Sequence, residues 1–122
     1  MVPVRILVAD DHAGVRRGVI NILTSAGNLV VCGEAQTGEE AIRKNRELRP
    51  DLILLDISMP DMNGLEAARR IREEFADARI LIMTQHDARR MLPRVQAVGA
   101  LACVDKGRLS KDLLPAIKSI AI

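Results

Sequence analysis

The stretch LLDISMPDMNG, residues 54–64, begins with the aliphatic side chains of a buried strand and then reaches an acid, Asp56. A turn that contains Pro60 and Gly64 follows this acid. A carboxylate at the rim of a hydrophobic core is costly unless a partner uses its charge. The stretch therefore predicts a strand that ends in an acid, a partner that interacts with the charge of this acid, and a turn after it.

Apolar runs and amphipathic segments alternate on both sides of this stretch. The predicted strands are residues 4–9, 29–32, 52–55, 80–83 and 101–104. The predicted helices lie within residues 14–26, 37–49, 63–75, 87–98 and 109–120. Strands that are apolar on both faces and separated by helices indicate a parallel sheet with helices on both sides. A single α/β domain over residues 1–122 is predicted, with a (βα)₅ doubly wound fold.

Local signals set the predicted helix ends. Gly27 is predicted to end the first helix, and the capping box of residues 37–40, TGEE, is predicted to open the second. Pro93 falls inside the fourth helical segment, where a proline kinks or breaks a helix unless the helix starts there. The fourth helix is therefore predicted to be short or mobile. Pro115 is predicted to lie in the first turn of the last helix.

Composition narrows the function classes. The 122 residues are 48% hydrophobic and 28% charged, as in folded globular domains. The net charge is +2, the basic residues are interspersed with acids, and Phe75 is the only aromatic residue, predicted to face the core. This pattern argues against direct nucleic-acid binding by this chain. No apolar run approaches the ~18 residues of a membrane span, and the N-terminus lacks a signal-peptide layout, so a cytoplasmic protein without a membrane partner is predicted.

The two cysteines, Cys32 and Cys103, lie in the short apolar stretches VVCGE and LACVD. They form no CxxC motif and have no histidine nearby in sequence, which argues against a zinc site and a redox pair. Both are predicted to be buried free thiols.

Polar residues follow the predicted strands at their C-terminal ends. Asp10 and Asp11 follow the first strand, Asp56 the third, Thr84 the fourth, and Lys106 comes shortly after the fifth. Ligands of open α/β sheets bind at this edge, next to the point where the strand order reverses. If the strand order is 2-1-3-4-5, the first and third strands are neighbours and their acids converge.

Three carboxylates a few ångströms apart cannot all stay ionised without a partner, so either the pKa of one rises or a cation binds. Oxygen ligands of this kind favour Mg²⁺. A carboxylate can also act as a nucleophile and form an aspartyl phosphate, and Asp56 is the best-placed candidate. Each residue alone has a simpler interpretation: Asp10 or Asp11 as a helix cap, and Asp56 as a turn former. Their joint placement favours the phosphoryl-transfer interpretation.

Four motifs carry a family resemblance: VADDH, DISMPDMNG, MTQHD and VGALACVDKG. With them the chain resembles, over essentially its whole length, the receiver domain of two-component response regulators. RILVADDH and LRPDLILLDISMPDMNGLEAARRIRE look most like the NarL/LuxR-type subfamily, whose members usually carry a C-terminal helix-turn-helix DNA-binding domain. The resemblance implies the flavodoxin-like receiver fold with strand order 2-1-3-4-5, no nucleic-acid contact by this domain itself, and a DNA-binding output domain in a longer parent protein.

The resemblance also implies a metal site. Asp11 would bind Mg²⁺ directly, and Asp10 mostly through water. Asp56 and the backbone carbonyl of Ser58 would complete the protein ligands. Mg²⁺ is the only cofactor that the resemblance implies.

The implied chemistry is that of a regulatory phosphoacceptor rather than an enzyme. Asp56 would take a phosphoryl group from the phosphohistidine of a sensor histidine kinase, in a self-catalysed transfer followed by slow autodephosphorylation. Thr84 would bind the phosphoryl oxygens in the active state, and Lys106 would pair with them. Pro60 and Gly64 would shape the loop after the phosphorylation site. Homodimer formation is common in the family, and the sequence leaves it open.

Three positions depart from the family pattern and affect the switch. Cys103 stands where receivers usually have Tyr or Phe, so the usual coupling between the threonine and an aromatic ring cannot operate. Gln85 replaces a small residue after Thr84, and Pro93 lies in the output face formed by the fourth helix, fifth strand and fifth helix. Cys103 and Pro93 favour an alternative, a pseudo-receiver that acts as a phosphorylation-independent interaction module, while the intact acids argue against it.

Two further alternatives fit less well. An aspartyl-phosphate hydrolase would have a second acid two residues after the nucleophile, where this chain has Ser58. A flavodoxin-like mononucleotide binder would have a Ser/Thr/Gly phosphate loop after the first strand, where this chain has DDHAG.

Overall fold

A computed structural model describes residues 2–120 and confirms the predicted alternation of strands and helices. The strands are β1 Val4–Ala9, β2 Leu29–Ala35, β3 Leu52–Asp56, β4 Ile80–Thr84 and β5 Ala102–Asp105. The helices are α1 Ala13–Thr24, α2 Gly38–Leu48, α3 Gly64–Glu74, α4 Ala88–Ala97 and α5 Leu109–Ser119, and a short 3₁₀ helix, Lys106–Arg108, precedes α5. Among the described residues, no helix has the length and apolar character needed to cross a membrane.

The five strands form one parallel sheet in the order β2-β1-β3-β4-β5, which confirms the predicted fold class and strand order. The register places Ala9 of β1 beside Leu55 of β3. The next residue along the chain is an acid in both cases, Asp10 directly after β1 and Asp56 at the end of β3. This register brings the two carboxylates to the same edge of the sheet.

Hydrophobic residues cover both faces of the sheet, because alternate side chains of a strand point to opposite faces. Strands β3 and β4 are buried along their whole length. One core cluster forms under α2, α3 and α4, and a second forms under α1 and α5. The central strand β3 thus has a rigid support on both sides, and its last residue is Asp56.

Side-chain caps fix the starts of α2 and α3. Thr37 Oγ1 accepts a hydrogen bond from Glu40 N at 3.1 Å, and Asn63 Oδ1 accepts one from Glu66 N at 2.9 Å. The predicted capping box is present with one change, because Glu40 Oε1 accepts from Gln36 N at 3.3 Å, one residue before the cap. These caps satisfy backbone donors that the first turn of a helix leaves free.

Two predicted helix features differ in the structure, and Pro93 lies in the shortest of the α-helices described. Helix α1 ends at Thr24, and the Ser25 N–H closes it on Asn21 O at 3.2 Å, so Gly27 does not end the helix. Pro115 is the seventh residue of α5, so its predicted place in the first turn is wrong. Pro93 lies inside α4 without breaking it. The Pro93 side chain is exposed, and solvent can therefore bond the carbonyl that lacks its usual helical donor.

Three side chains that were predicted to be buried or to face the core are only partly buried. Cys32 and Cys103 are free but only half-buried. Burial raises the pKa of both thiols, and that of Cys103 to about 11. Phe75 is also half-buried, directly after α3, and the Arg49 guanidinium lies 4.0 Å from the centre of its ring. The guanidinium therefore makes a cation–π contact with the ring and shields part of it from solvent.

Candidate functional site

The acids that follow β1 and β3 form one cluster at the C-terminal edge of the sheet. Asp10, Asp11, His12 and Asp56 each contribute a donor atom, and these four atoms lie within 4.8 Å of one another. Asp10 and Asp56 are fully buried, while Asp11 and His12 are exposed. The cluster, called the acidic site below, is thus open to solvent on one side and enclosed by the sheet on the other.

A lysine reaches the acidic site from the opposite side of β3. Lys106 is the first residue after β5, and its side chain is only 7% exposed. Its Nζ lies 2.6 Å from Asp10 Oδ2 and 3.0 Å from Asp56 Oδ1. The single ammonium offsets one of the three carboxylate charges, so the site retains an attraction for a further cation.

One buried carboxylate oxygen of the acidic site has no hydrogen-bond partner among the described residues. Asp56 Oδ1 accepts from Ser58 N at 3.1 Å, whereas Asp56 Oδ2 has no hydrogen-bond partner within residues 2–120. Asp10 Oδ1 accepts from His12 N at 2.9 Å. Asp10 Oδ2 is paired with the Lys106 ammonium at 2.6 Å. A buried oxygen without a partner, such as Asp56 Oδ2, is destabilising unless an ion or a ligand group binds it.

The electrostatics of the acidic site concentrate on Asp56. Burial raises the pKa of the Asp56 carboxyl, and the nearby Asp10 charge adds to this, while Lys106 and the Ser58 N–H offset the rise only in part. Burial also acts to lower the pKa of Lys106, but its contacts with Asp10 and Asp56 outweigh this and leave it above its usual value. Lys106 therefore stays charged, and a divalent cation would lower the pKa of Asp56.

The loop after β3 holds Asp56 in place through close backbone contacts. Gly64 N donates to Ile57 O at 2.9 Å, and Met62 N donates to Pro60 O at 2.7 Å across Asp61, whose φ is +67°. This tight three-residue turn brings the start of α3 against the end of β3. A Cβ atom on Gly64 would lie 2.2 Å from the Asp56 carbonyl oxygen, so only glycine fits there.

The remaining predicted site residues lie on the neighbouring strands. Thr84 is the fully buried last residue of β4, and its Oγ1 accepts from His86 N at 3.0 Å. Gln85, after it, is exposed. Cys103 lies on β5 and lines an open groove of about 690 Å³ between α4 and α5. The groove is open beside this small thiol, on the face where the resemblance predicts the output surface.

One residue of the acidic site was missed in the sequence. His12 follows the two acids directly, and its Nδ1 lies 3.2 Å from Asp11 Oδ1 and 3.5 Å from Asp10 Oδ1. The only sequence signal was its position in VADDH, at the start of the first helix. A residue there can be a helix cap, but the His12 side chain makes no capping hydrogen bond.

Asp56→Asn is expected to stabilise the metal-free protein at neutral pH. A raised pKa means that the folded state holds the Asp56 proton more tightly than the unfolded state does. The wild type therefore loses stability relative to the variant as the pH rises from below the ordinary carboxyl pKa through the raised pKa. Above that range the variant should gain about 1–3 kcal/mol, the typical penalty for a buried polar group left unpaired. Urea unfolding at pH 7, with a chelator present, measures the difference.

The pH trend provides the control. The advantage of the variant should shrink as the pH is lowered toward the ordinary carboxyl range, because Asn does not titrate while Asp56 becomes neutral. The Lys106 ammonium keeps Asp10 as a partner at 2.6 Å in the variant. Equal stability of the two proteins at pH 7 would show that the Asp56 charge is not strained in the fold.

Residues 6–118 match the family described as the response regulator receiver domain. The chain is 36% identical over 117 residues to the response regulator UvrY of Escherichia coli strain K12, an alignment that covers 96% of this chain and 54% of UvrY. The chain spans about half the length of the curated relatives that it matches.

Solved structures with this fold include two that cover nearly all of the chain. One is a LuxR-family two-component response regulator from Aurantimonas sp. SI85-9A1, with a TM-score of 0.91, 34% identity, and coverage of 96% of this chain and 84% of that one. The other is the CheX–CheY–BeF₃–Mg²⁺ complex from Borrelia burgdorferi, with a TM-score of 0.90, 25% identity, and coverage of 97% and 89%.

Proposed function

We propose that this chain is a phosphoacceptor switch in which Asp56 receives the phosphoryl group. The chain belongs to the family of response regulator receiver domains of two-component systems. One observation carries this proposal. Asp56 is fully buried at the end of the central strand, yet its Oδ2 has no hydrogen-bond partner within residues 2–120. An acid held in this condition beside a lysine is suited to a reaction that uses its free oxygen.

The donor set of the acidic site fits Mg²⁺. Asp10, Asp11 and Asp56 supply carboxylate oxygens within one cluster. The Ser58 backbone carbonyl follows two residues after Asp56 and would complete the protein ligands. Hard oxygen donors with open positions for water and phosphate are typical of Mg²⁺ sites. Mg²⁺, when bound, would neutralise charge on the oxygens of the transferred group. The Mg²⁺ in the Borrelia burgdorferi complex supports this assignment by analogy.

The side chains of the chain itself would carry the transfer. A carboxylate oxygen of Asp56 would form a bond to phosphorus while the bond from phosphorus to an imidazole nitrogen of the kinase breaks, which gives an acyl phosphate. The Lys106 ammonium, 3.0 Å from Asp56 Oδ1, would pair with the new phosphoryl oxygens. The Thr84 hydroxyl at the end of β4 would donate a hydrogen bond to them. Slow attack by water would reverse the state.

The output of the switch would lie on the surface formed by α4, β5 and α5. Cys103 and its groove face this surface, and Pro93 lies on α4. We propose a sensor histidine kinase as the phosphodonor partner. We also propose that this domain controls a DNA-binding output domain in a longer parent protein, as in the NarL/LuxR-type subfamily that it resembles. Assembly into a homodimer would be one way to transmit the state.

A direct test uses a small phosphodonor. The purified chain, incubated with acetyl phosphate and Mg²⁺, should gain one phosphoryl group by intact-mass spectrometry, and hydroxylamine should remove it, as expected for an acyl phosphate. A matched sample with chelated metal should gain none. If the folded protein gains nothing under any condition, the pseudo-receiver that Cys103 and Pro93 favour becomes the better function, and a constitutive partner should be sought.

A further inference from the structure

The structure places a nitrogen donor in the acidic site. A ring nitrogen of His12 is one of four donor atoms that lie within 4.8 Å of one another, together with oxygens of Asp10, Asp11 and Asp56. The imidazole is 62% exposed, and its Nδ1 contacts Asp11 Oδ1 at 3.2 Å. The phosphoacceptor chemistry proposed above has no use for this side chain. Its position therefore calls for a role of its own.

We propose that His12 Nδ1 is a ligand for a divalent transition-metal ion in the acidic site, so that the site accepts ions such as Co²⁺, Ni²⁺ or Zn²⁺ with a nitrogen donor that Mg²⁺ does not require. This inference rests on the metal site of the proposed function. It adds a residue that determines which metal the site prefers.

The spacing of the donor atoms fits one ion. Ligands on opposite sides of a transition metal lie about 4 Å apart, because each metal–ligand bond is about 2.0–2.2 Å. The four donors span no more than 4.8 Å, so a small rotation of exposed side chains suffices to close the site. His12 and Asp11 have that freedom, while Asp10 and Asp56 are fixed in the core.

Backbone and side-chain contacts orient His12 toward the acids rather than into the fold. The backbone N–H of His12 donates to Asp10 Oδ1 at 2.9 Å, which keeps the residue next to the carboxylates. The side chain makes no capping bond to α1, although the residue occupies the cap position. The imidazole is therefore not used to cap the helix, and its Nδ1 faces the Asp10 and Asp11 carboxylates.

A second observation points to a cation at this place. Asp56 Oδ2 belongs to a fully buried side chain of the cluster and has no hydrogen-bond partner in the part of the chain described. Such an oxygen needs a cation or a donor. Imidazole suits Co²⁺, Ni²⁺ and Zn²⁺, whose affinities for mixed nitrogen and oxygen sites follow the usual order for divalent metals, whereas Mg²⁺ prefers oxygen and retains water.

The test compares matched variants at the two histidines of the sequence, His12→Gln and His86→Gln. His86 is exposed after β4 and lies outside the cluster, so its variant controls for nonspecific binding by imidazole. Calorimetric titrations with Co²⁺ and with Mg²⁺ are made on each protein near pH 7.5, where an ordinary imidazole is neutral. Proton NMR of the Co²⁺ form gives an independent measurement, because a bound imidazole shows a paramagnetically shifted N–H signal that exchanges in D₂O.

His12→Gln should weaken Co²⁺ binding by about tenfold or more, since changes even to residues behind the metal ligands cost that much. Mg²⁺ affinity should hardly change, and the shifted N–H signal should be lost. His86→Gln should keep the wild-type affinity and the signal. If wild type and His12→Gln bind Co²⁺ equally and Mg²⁺ still binds, the role of His12 is overturned while the proposed function stands. If the wild type binds neither ion, the metal site of the proposed function fails as well.

Discussion

Asp56→Asn is expected to take up no phosphoryl group from acetyl phosphate, under conditions in which the wild type gains one. The amide of asparagine is not a nucleophile at neutral pH, and it also removes a charged oxygen from the metal cluster. The loss should be complete rather than partial, because no other carboxylate occupies the end of the central strand. Intact-mass spectrometry after incubation with saturating Mg²⁺ measures it.

Asp61→Asn is the matched control for this loss. Asp61 lies five residues later in the same loop, is exposed and does not belong to the metal cluster. Its φ of +67° is one that asparagine also adopts readily, so the backbone should not change. This variant should be phosphorylated like the wild type. Uptake by Asp56→Asn would instead place the acceptor elsewhere, with Asp10 the nearest buried candidate.

Unfolding cannot account for inactivity of the Asn variant if the stability prediction holds. The same substitution is expected to raise stability in the absence of metal, because burial raises the pKa of the Asp56 carboxyl. A variant that is more stable and is not phosphorylated would show that Asp56 lowers the stability of the fold and is required for phosphorylation. A variant that is inert and less stable would remove this argument.

The sequence predicted which side chains lie together where strand order decides the outcome. In a parallel sheet, residues that follow the strands share one edge, so the order 2-1-3-4-5 alone brings Asp10 next to Asp56. The contact of Lys106 with these acids required, in addition, a side chain long enough to reach from the end of β5 along the C-terminal edge of the sheet. Its 2.6 Å and 3.0 Å contacts show that it does. These features depend on topology: hydrophobic patterning predicted the strands and helices, and the family resemblance implied the strand order.

The sequence failed where a few local contacts decide the outcome. Pro115 is tolerated in the middle of α5 because the neighbouring residues Leu113 and Ile117 are buried and anchor the helix on both sides. The partial exposure of Cys103 follows from the spacing of α4 and α5 over β5, which no short motif reports. His12 escaped notice because a single residue after a strand has no periodicity. Its role depends on distances of 3.2 Å and 3.5 Å that only the folded chain defines.

Gly64→Ala is expected to destabilise the protein strongly. The new Cβ would lie 2.2 Å from the Asp56 carbonyl oxygen, 2.9 Å from the Asp56 carbonyl carbon and 3.0 Å from Ile57 Cα. All three are backbone atoms, so no flexible side chain can move aside. We expect a loss of at least about 2 kcal/mol, within the range for overpacked cores. Thermal unfolding should show a fall in Tm of roughly 8 °C or more.

Gly18→Ala makes the same chemical change where space is free, and its effect should have the opposite sign. Gly18 lies inside α1, and no atom outside its own helix turn lies within 4 Å of the place that a Cβ would take, so alanine should stabilise the helix by about 0.5–1 kcal/mol. Opposite signs at the two positions would show that the contact between α3 and the end of β3, rather than glycine content, limits stability.

Because that contact also holds the Asp56 backbone, Gly64→Ala should slow phosphorylation even at temperatures where it remains folded. Wild-type stability and phosphorylation rate in Gly64→Ala would mean that the loop moves aside freely and does not position the acid.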